Sequence, residues 1–358
     1  MPYPENKDFQ DLLDDLANAL ANKQPFAVYR KPNENKVQAV FQENGTLNLA
    51  LSFNEKGFVF APFDWQDNAV LIRADKVSTS SFEANIGLVG EVDELSETGK
   101  QPFLKLVQKG VTQIKQGELK KVVLSRKIDL EFHQSPLEVF QRLIENYAKA
   151  FCYLFHHPKV GIWCGATPET LVYITKGELK TMSLAATLPY LEGTQPKWGS
   201  KEIEEQEMVS GYILEQLSEI ANGLKMEAVK SSKAGNLWHL KSEIKGKLQS
   251  SASLKDVVKA LHPTPAVCGI PTKEAQQFIQ EQEGYARTFY TGFLGELNLE
   301  ETTSASLFVN LRCMEIKPGK ASIFVGGGIT SASDTEKEWT ETQNKSKTLL
   351  NILQFVSH

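Results

Sequence analysis

Two pairs of glutamates, Glu202 with Glu205 and Glu338 with Glu341, share the spacing E-x-x-E, which puts both members of each pair on one face of a helix. In residues 201–224 an apolar stripe of Leu224, Ile220, Leu217, Ile213 and Val209 runs back at spacings of three and four onto Glu205, with Glu202 one turn earlier. The C-terminal segment repeats the pattern. Val356, Leu353, Ile352 and Leu349 continue onto Lys345, then Thr342 and Glu341, then Glu338. A solvated acidic face is the ordinary reading of such glutamates. The other reading brings the carboxylates together in the interior, where they need a cation or protons to neutralise them. An all-oxygen set without a Cys/His cluster favours a hard ion, and a few carboxylates with waters and an anionic substrate is the usual way of holding magnesium. Mg²⁺ is the expected cofactor, with Glu205, Glu341, Glu202 and Glu338 as candidate ligands.

The elements that must position these groups are legible in outline. A strand approaching from residue 320 ends in Gly326, Gly327 and Gly328, and the spacing of Ser333 and Glu336 predicts a capping box that starts the last helix. Earlier, an amphipathic helix at 8–21 precedes short strands at 26–30, 37–42, 47–53, 57–62 and 69–73, separated by polar turns that favour hairpins. The pattern weakens between 75 and 100. That divides the chain into a portion 1–95 and a catalytic portion 96–358, the first not necessarily an independent domain. Helices at 101–116 and 136–149 flank a strand at 120–132, and strands follow at 151–157, 159–165, 170–175 and 177–187. Beyond the helix of residues 201–224 come strands at 225–231, 236–248, 288–299, 304–316 and 320–326, with short helices at 253–261 and 272–282. This predicts an α+β (mixed α/β) fold of antiparallel β-sheets sandwiched by helices.

Composition narrows the class. At 358 residues with 41% hydrophobic and 23% charged residues and a formal net charge of -5, the chain is that of a globular protein with no global basic charge for nucleic acid. Four cysteines without a C-x-x-C pair, no secretory-type N-terminus and no apolar run of about 20 residues point to a cytoplasmic protein outside the membrane.

An ordered set of further motifs carries a resemblance: KVVLSR at 121–126, GATPETL at 165–171, SLAAT at 183–187, HPTPAVCGIP at 262–271, YTGFLGELN at 290–298, NLRCMEI at 310–316 and GGGITSASDTEKEWTETQNK at 326–345. Together they make residues 100–350 resemble the chorismate-utilising enzymes, and within them the isochorismate synthases. The first hundred residues add little to it. The resemblance implies one large fold of two antiparallel β-sheets packed together with helices outside and the active site in a cleft between them, where water attacks C2 of chorismate while the C4 hydroxyl leaves. Lys121 matches the family's water-activating base and Glu169 its general acid. Glu205 and Glu341 match its magnesium ligands, with Glu202 and Glu338 close by. Thr187, His262, Ala266, Tyr290, Arg312, Gly326, Gly327, Gly328 and Lys345 match positions at the substrate, the glycines by letting backbone N–H groups approach an anion.

From the residues alone, Lys121 reads first as an exposed strand lysine beside Lys120, Glu169 equally as a strand-edge carboxylate, Arg312 as a surface ion-pair partner, the glycines as a tight turn and His262 equally as a core histidine. Departures from the family pattern are Ala186 for glycine, Glu202 for aspartate, Gln206 for histidine or asparagine and Thr335 for proline. Ala186 matters most, because its methyl crowds the site if the backbone there has positive φ. Three other functions compete. A salicylate synthase would carry threonine in place of Ala266, an ammonia-using synthase with a glutaminase subunit generally lacks the lysine at 121, and a non-catalytic magnesium-dependent binder needs neither acid nor base. The expectation is a chorismate enzyme without a glutaminase subunit, either a monomer or a weak homodimer.

Overall fold

The computed structural model describes residues 4–66, 68–83, 92, 95–190, 192–235 and 237–353. The chain begins with β1 (Glu5–Asn6), α1 (Phe9–Ala21), β2 (Phe26–Arg30), β3 (Lys36–Phe41), β4 (Asn48–Leu49), β5 (Gly57–Ala61), β6 (Val70–Arg73) and β7 (Lys76–Ser81). Its middle holds α2 (Lys100–Lys115), β8 (Lys121–Glu131), α3 (Pro136–Asn146), β9 (Phe151–His157), β10 (Gly161–Thr167), β11 (Thr170–Thr175), β12 (Glu178–Pro189) and α4 (Ser200–Ser218). It continues through β13 (Ala221–Met226), β14 (Lys230–Ala234), β15 (Leu237–Leu248), α5 (Leu254–Leu261), β16 (Gly269–Ile270) and α6 (Thr272–Gln282). The last elements are β17 (Phe293–Leu297), β18 (Ala305–Val309), β19 (Cys313–Lys317), β20 (Lys320–Ile329) and α7 (Thr335–Leu350).

These strands form two large sheets. One has the order β1-β7-β3-β2-β9-β10-β19-β20-β8-β16, the other β13-β15-β12-β11-β18-β17-β5-β6-β4 with β14 on β15. Apart from the short parallel pair β1 and β7, the described pairings are antiparallel. Strands of the first portion join both sheets, β2 on β9 and β5 on β17.

Period-two alternation explains the layering. In β9, Phe151, Tyr153 and Phe155 face an aromatic core with Phe58, Phe60, Trp163 and Phe308, while Cys152 and Leu154 face the helices α1, α3 and α7. A second apolar layer packs Val209, Ile213 and Leu217 of α4 and Val257, Val258 and Leu261 of α5 on the other sheet. The central strands β2, β5, β9, β17 and β18 are thus buried on both faces, so their sequences read as continuous apolar runs.

The structure departs from the sequence reading at informative places. Helix α4 stops at Ser218, where the reading ran to 224; Ile220 and Leu224 lie beyond it yet pack on the same apolar layer, which is why they matched the stripe. Similarly α7 ends at Leu350 while Ile352 and Leu353 remain buried, and Val356 lies outside the described residues. The cap of α7 is Asp334, whose side chain accepts from Lys337 N at 3.0 Å; Ser333 instead accepts from Thr330 N. The stretch 304–316 is two strands in different sheets, joined through Arg312 at φ 48°. Strand β7 occupies part of the weakly patterned 75–100 region, of which residues 84–91 are not described.

Candidate active site

Lys121 opens β8 as a completely buried lysine, with Nζ 2.9 Å from Glu205 Oε1 on α4. Among the described residues the Nζ has no polar partner beyond that carboxylate. The edge strand β16 seals its backbone side. Gly269, at φ 149°, is required there, since a Cβ would stand 2.3 Å from the Lys121 carbonyl oxygen. Burial pushes the Glu205 carboxyl up, but Lys121, Lys201 and Lys345 outweigh it and hold the group below its ordinary value.

Glu169 follows Pro168 in the turn between β10 and β11. Thr167 Oγ1 donates to Val309 O at 2.6 Å, Glu169 N donates to Thr167 Oγ1 at 3.3 Å, and Val309 N donates to Glu169 O at 3.0 Å. These bonds fix the turn and leave the side chain 4% exposed. Burial raises its carboxyl to about 8 against the opposing charges of Lys121 and Lys345, so it is predominantly protonated at neutral pH.

Helix α7 supplies the other carboxylates, each already matched to a lysine. Glu341 Oε1 lies 2.7 Å from Lys345 Nζ, which also donates to Gly326 O at 2.8 Å, and Glu338 Oε1 lies 2.8 Å from Lys201 Nζ. Glu338 Oε2 is buried without a hydrogen-bond partner, and burial and then the neighbouring Glu341 charge push this carboxyl upward. Among the described residues, no three His, Cys, Asp or Glu side chains form a preassembled metal site. The four-glutamate ligand set read from the sequence is therefore not gathered. Glu202 departs furthest: its Oε2 accepts from Gly199 N at 2.9 Å, capping its own helix. Glu338 and Glu341 do converge. A Cβ built on Gly327 would stand 3.3 Å from Glu338 Oε2 and 3.2 Å from Glu341 Oε1, so the glycine leaves space beside an unpartnered oxygen. Two carboxylates with waters and an anionic ligand suit Mg²⁺.

The glycine run works differently from the sequence expectation. Gly326, Gly327 and Gly328 are interior residues of β20, paired with Ser125, Leu124 and Val123 of β8, and neither end the strand nor form a turn. Their missing side chains make room. At Gly328 a Cβ would meet Glu205 Oε1 at 2.5 Å and Lys121 Cε at 3.0 Å, and at Gly326 it would meet Tyr290 Oη at 3.0 Å.

Glu169, Glu205, Glu341, Lys345, Thr187, Ala266, Tyr290, Arg312 and the three glycines line one cleft, and Lys121 is buried beneath its Glu205 edge. His262 does not line it. Its Nε2 donates to Phe63 O at 3.1 Å, its ring packs on Phe293, and burial lowers it to about 4, so it is a neutral core histidine. The histidine that does line the cleft, His239, escaped the sequence reading because it belongs to no motif. Its Nδ1 donates to Ala186 O at 2.9 Å, leaving Nε2 to accept from Arg312 Nη2 at 2.9 Å. Burial first, and then the Arg312 and Lys345 charges, hold this imidazole well below its ordinary value. A neutral ring can therefore orient Arg312 toward the cleft without adding charge.

Ala186 sits at φ 59° beside a bulge in β12 and lines the same cleft. An L-residue in this conformation costs about 1 kcal/mol relative to glycine. Ala186→Gly is expected to raise the unfolding free energy by up to about 1 kcal/mol, seen in urea as a higher midpoint with an unchanged m-value. A lowered midpoint would show that the methyl is a packing contact.

With this geometry in place, the comparisons are specific. A family model described as "Chorismate binding enzyme" matches residues 63–354. Isochorismate synthase MenF of Pasteurella multocida is 30% identical over 77% of this chain and 67% of its own length, and isochorismate synthase EntC of Escherichia coli K12 is 26% identical over 90% and 86%. Anthranilate synthase component 1 of Thermococcus kodakarensis is 28% identical over 82% and 68%. Among solved structures, the menaquinone-specific isochorismate synthase MenF of Escherichia coli superposes with a TM-score of 0.78 at 22% identity, covering 99% of this chain and 94% of that one. Anthranilate synthase component I of Streptococcus pneumoniae gives 0.71 at 18%, covering 90% and 89%. Both branches share the fold, so the fold alone does not choose between them. A family match spanning most of the chain, and a cleft that gathers the motif residues from both sheets, lead to one statement: this chain belongs to the chorismate-binding enzyme family.

Proposed function

We propose that the protein is an isochorismate synthase, an isomerase that interconverts chorismate and isochorismate reversibly with Mg²⁺. The observation that supports this most directly is the pairing of a buried lysine with a buried, protonated glutamate at one cleft. Lys121 takes a proton from the water that bonds to C2, with Glu205 as counterion of the ammonium. The ring double bond shifts, the C4–O bond breaks, and Glu169 gives its proton to the departing hydroxyl, which leaves as water. Arg312 and Lys345, both in the cleft lining, would hold substrate carboxylates. Glu338 and Glu341, with Glu205, would hold Mg²⁺, which would supply the charge that binds the ring carboxylate.

Lys121 argues against the ammonia-using branch, and Ala266 in the cleft wall against the pyruvate-releasing one. The four buried free cysteines suit a reducing cytoplasm, and among the described residues no helix is long and apolar enough to cross a membrane. The product would enter menaquinone or siderophore synthesis, and no glutaminase subunit is required. Purified protein incubated with chorismate and Mg²⁺ should give a mixture of chorismate and isochorismate by chromatography, approached from either side. Stoichiometric pyruvate, an amino product with ammonium, or unchanged chorismate would each overturn the assignment.

The Glu169 proton sets a pH dependence. With its carboxyl at about 8 in the fold against 4.5 ordinarily, forward turnover should fall as pH rises through about 8. Stability has the same sign. The folded state keeps a proton that the unfolded chain releases across this window, so the contribution is complete below 4.5 and is lost as pH rises through about 8. Thermal melts of Glu169→Gln should lack that loss, and parallel curves for wild type and variant would contradict it.

A further inference from the structure

The cleft adjoins two hollows of opposite charge. On the α4 and α7 side, an outer mouth shares Thr187 and Glu341 with the cleft and carries Glu202, Glu336, Glu338 and Glu341 against Lys201 and Lys337. On the other side, a broad hollow of about 1660 Å³, including its open mouth, shares Pro168, Leu184 and Arg312 with the cleft. Among the described residues its charged lining is Lys149, Lys233, Lys241 and Arg312, with no carboxylate. The lysines come from three places: Lys149 precedes β9, Lys233 is in β14 and Lys241 in β15. Lys233 Nζ lies 3.2 Å from the centre of the Tyr190 ring, and Lys241 Nζ 3.2 Å from Glu243 Oε1. Arg312 forms the partition. Its Nη1 donates to Ala234 O at 3.0 Å on the hollow's wall, and its Nη2 donates to His239 in the cleft.

We infer that this basic hollow is the port for the small organic dianion, substrate in and product out, with Arg312 as the last cation on the path; the acidic mouth is left for the divalent cation. The inference rests on the chorismate reading of the cleft. A chain of net charge -5 repels a dianion overall, so fast capture needs a local positive field, and a port of one sign concentrates its ligand. Entry past four glutamates would meet the opposite field.

The test replaces Lys149, Lys233 and Lys241 together by glutamine and compares a control with Lys105, Lys115 and Lys273 replaced likewise, which removes the same formal charge from exposed helix positions. At low ionic strength the port variant should lose about tenfold in kcat/KM and keep kcat within about twofold, and its kcat/KM should respond less to salt. The control should match wild type. Equal losses in both variants, or an unchanged kcat/KM and salt response in the port variant, would overturn the port. Stopped-flow measurement of chorismate association with Mg²⁺ separates this from the function itself. Wild type that binds without turnover removes the synthase assignment, while slower, less salt-sensitive association by the port variant still supports the port. Wild type that does not bind chorismate removes both.

Discussion

Lys121→Ala is expected to lower kcat by about 100- to 10,000-fold, the range a positioned base contributes, while KM for chorismate changes much less. The same substitution carries a structural cost that must be separated from the chemical one. Lys121 is completely buried and its Nζ is the 2.9 Å partner of Glu205, itself 9% exposed, so the variant strands a buried carboxylate. Removing one member of a buried pair costs about 3–5 kcal/mol when the other stays charged. Adding Glu205→Gln in the Lys121→Ala background should recover most of that stability in metal-free thermal melts, which assigns the cost to the stranded carboxylate. Near-normal kcat in the single variant would remove Lys121 from the mechanism.

The carboxylate stripes were legible because burial leaves a periodic trace, and the same trace misled at the ends of the helices. Ile220, Leu224, Ile352 and Leu353 fit the apolar period although they lie outside α4 and α7, since periodicity reports which layer a residue packs on rather than its backbone state. Antiparallel sheets followed from short strands separated by polar turns, and their packing as a pair from the family resemblance. The crossing at Arg312 did not, because 304–316 has uniform strand character and only the αL residue between β18 and β19 moves the chain from one sheet to the other. That crossing is what carries Arg312 to the cleft wall. The reading of Ala186 did anticipate geometry, since the concern about a positive φ is met by its 59°. His239 could not be found from sequence: its role depends on the Ala186 carbonyl and on Arg312, which are 53 and 73 residues distant in the chain. The glycines signalled a close approach, but of side chains from Lys121, Glu205, Glu338 and Glu341 rather than of a turn.

Glu341→Gln and Glu338→Gln are expected to separate magnesium binding from folding. Without metal, Glu338 is a buried carboxylate with one unpartnered oxygen, and burial and the Glu341 charge outweigh the Lys201 ion pair, so neutralising Glu338 relieves more than the lost pair costs; Glu341→Gln relieves the same repulsion but takes from Lys345 its 2.7 Å partner, leaving it the bond to Gly326 O. Metal-free melts of Glu338→Gln should therefore lie at or above wild type, and those of Glu341→Gln near or slightly below it. Magnesium should put both variants below wild type. At a concentration 100 times its dissociation constant, a ligand specific to the folded state stabilises by about 2.7 kcal/mol, and if a lost carboxylate weakens affinity about 100-fold the same concentration gives only about 0.4 kcal/mol. The magnesium-induced rise in Tm should thus nearly vanish in both variants, and turnover at that concentration should fall with it. Glu202→Gln is the internal control, because its carboxylate caps α4: it should lower Tm slightly with and without magnesium and leave the magnesium-induced shift intact. An undiminished shift in Glu338→Gln and Glu341→Gln would move the cation elsewhere, and a shift lost only in Glu202→Gln would restore to that residue the ligand role its capping bond argues against.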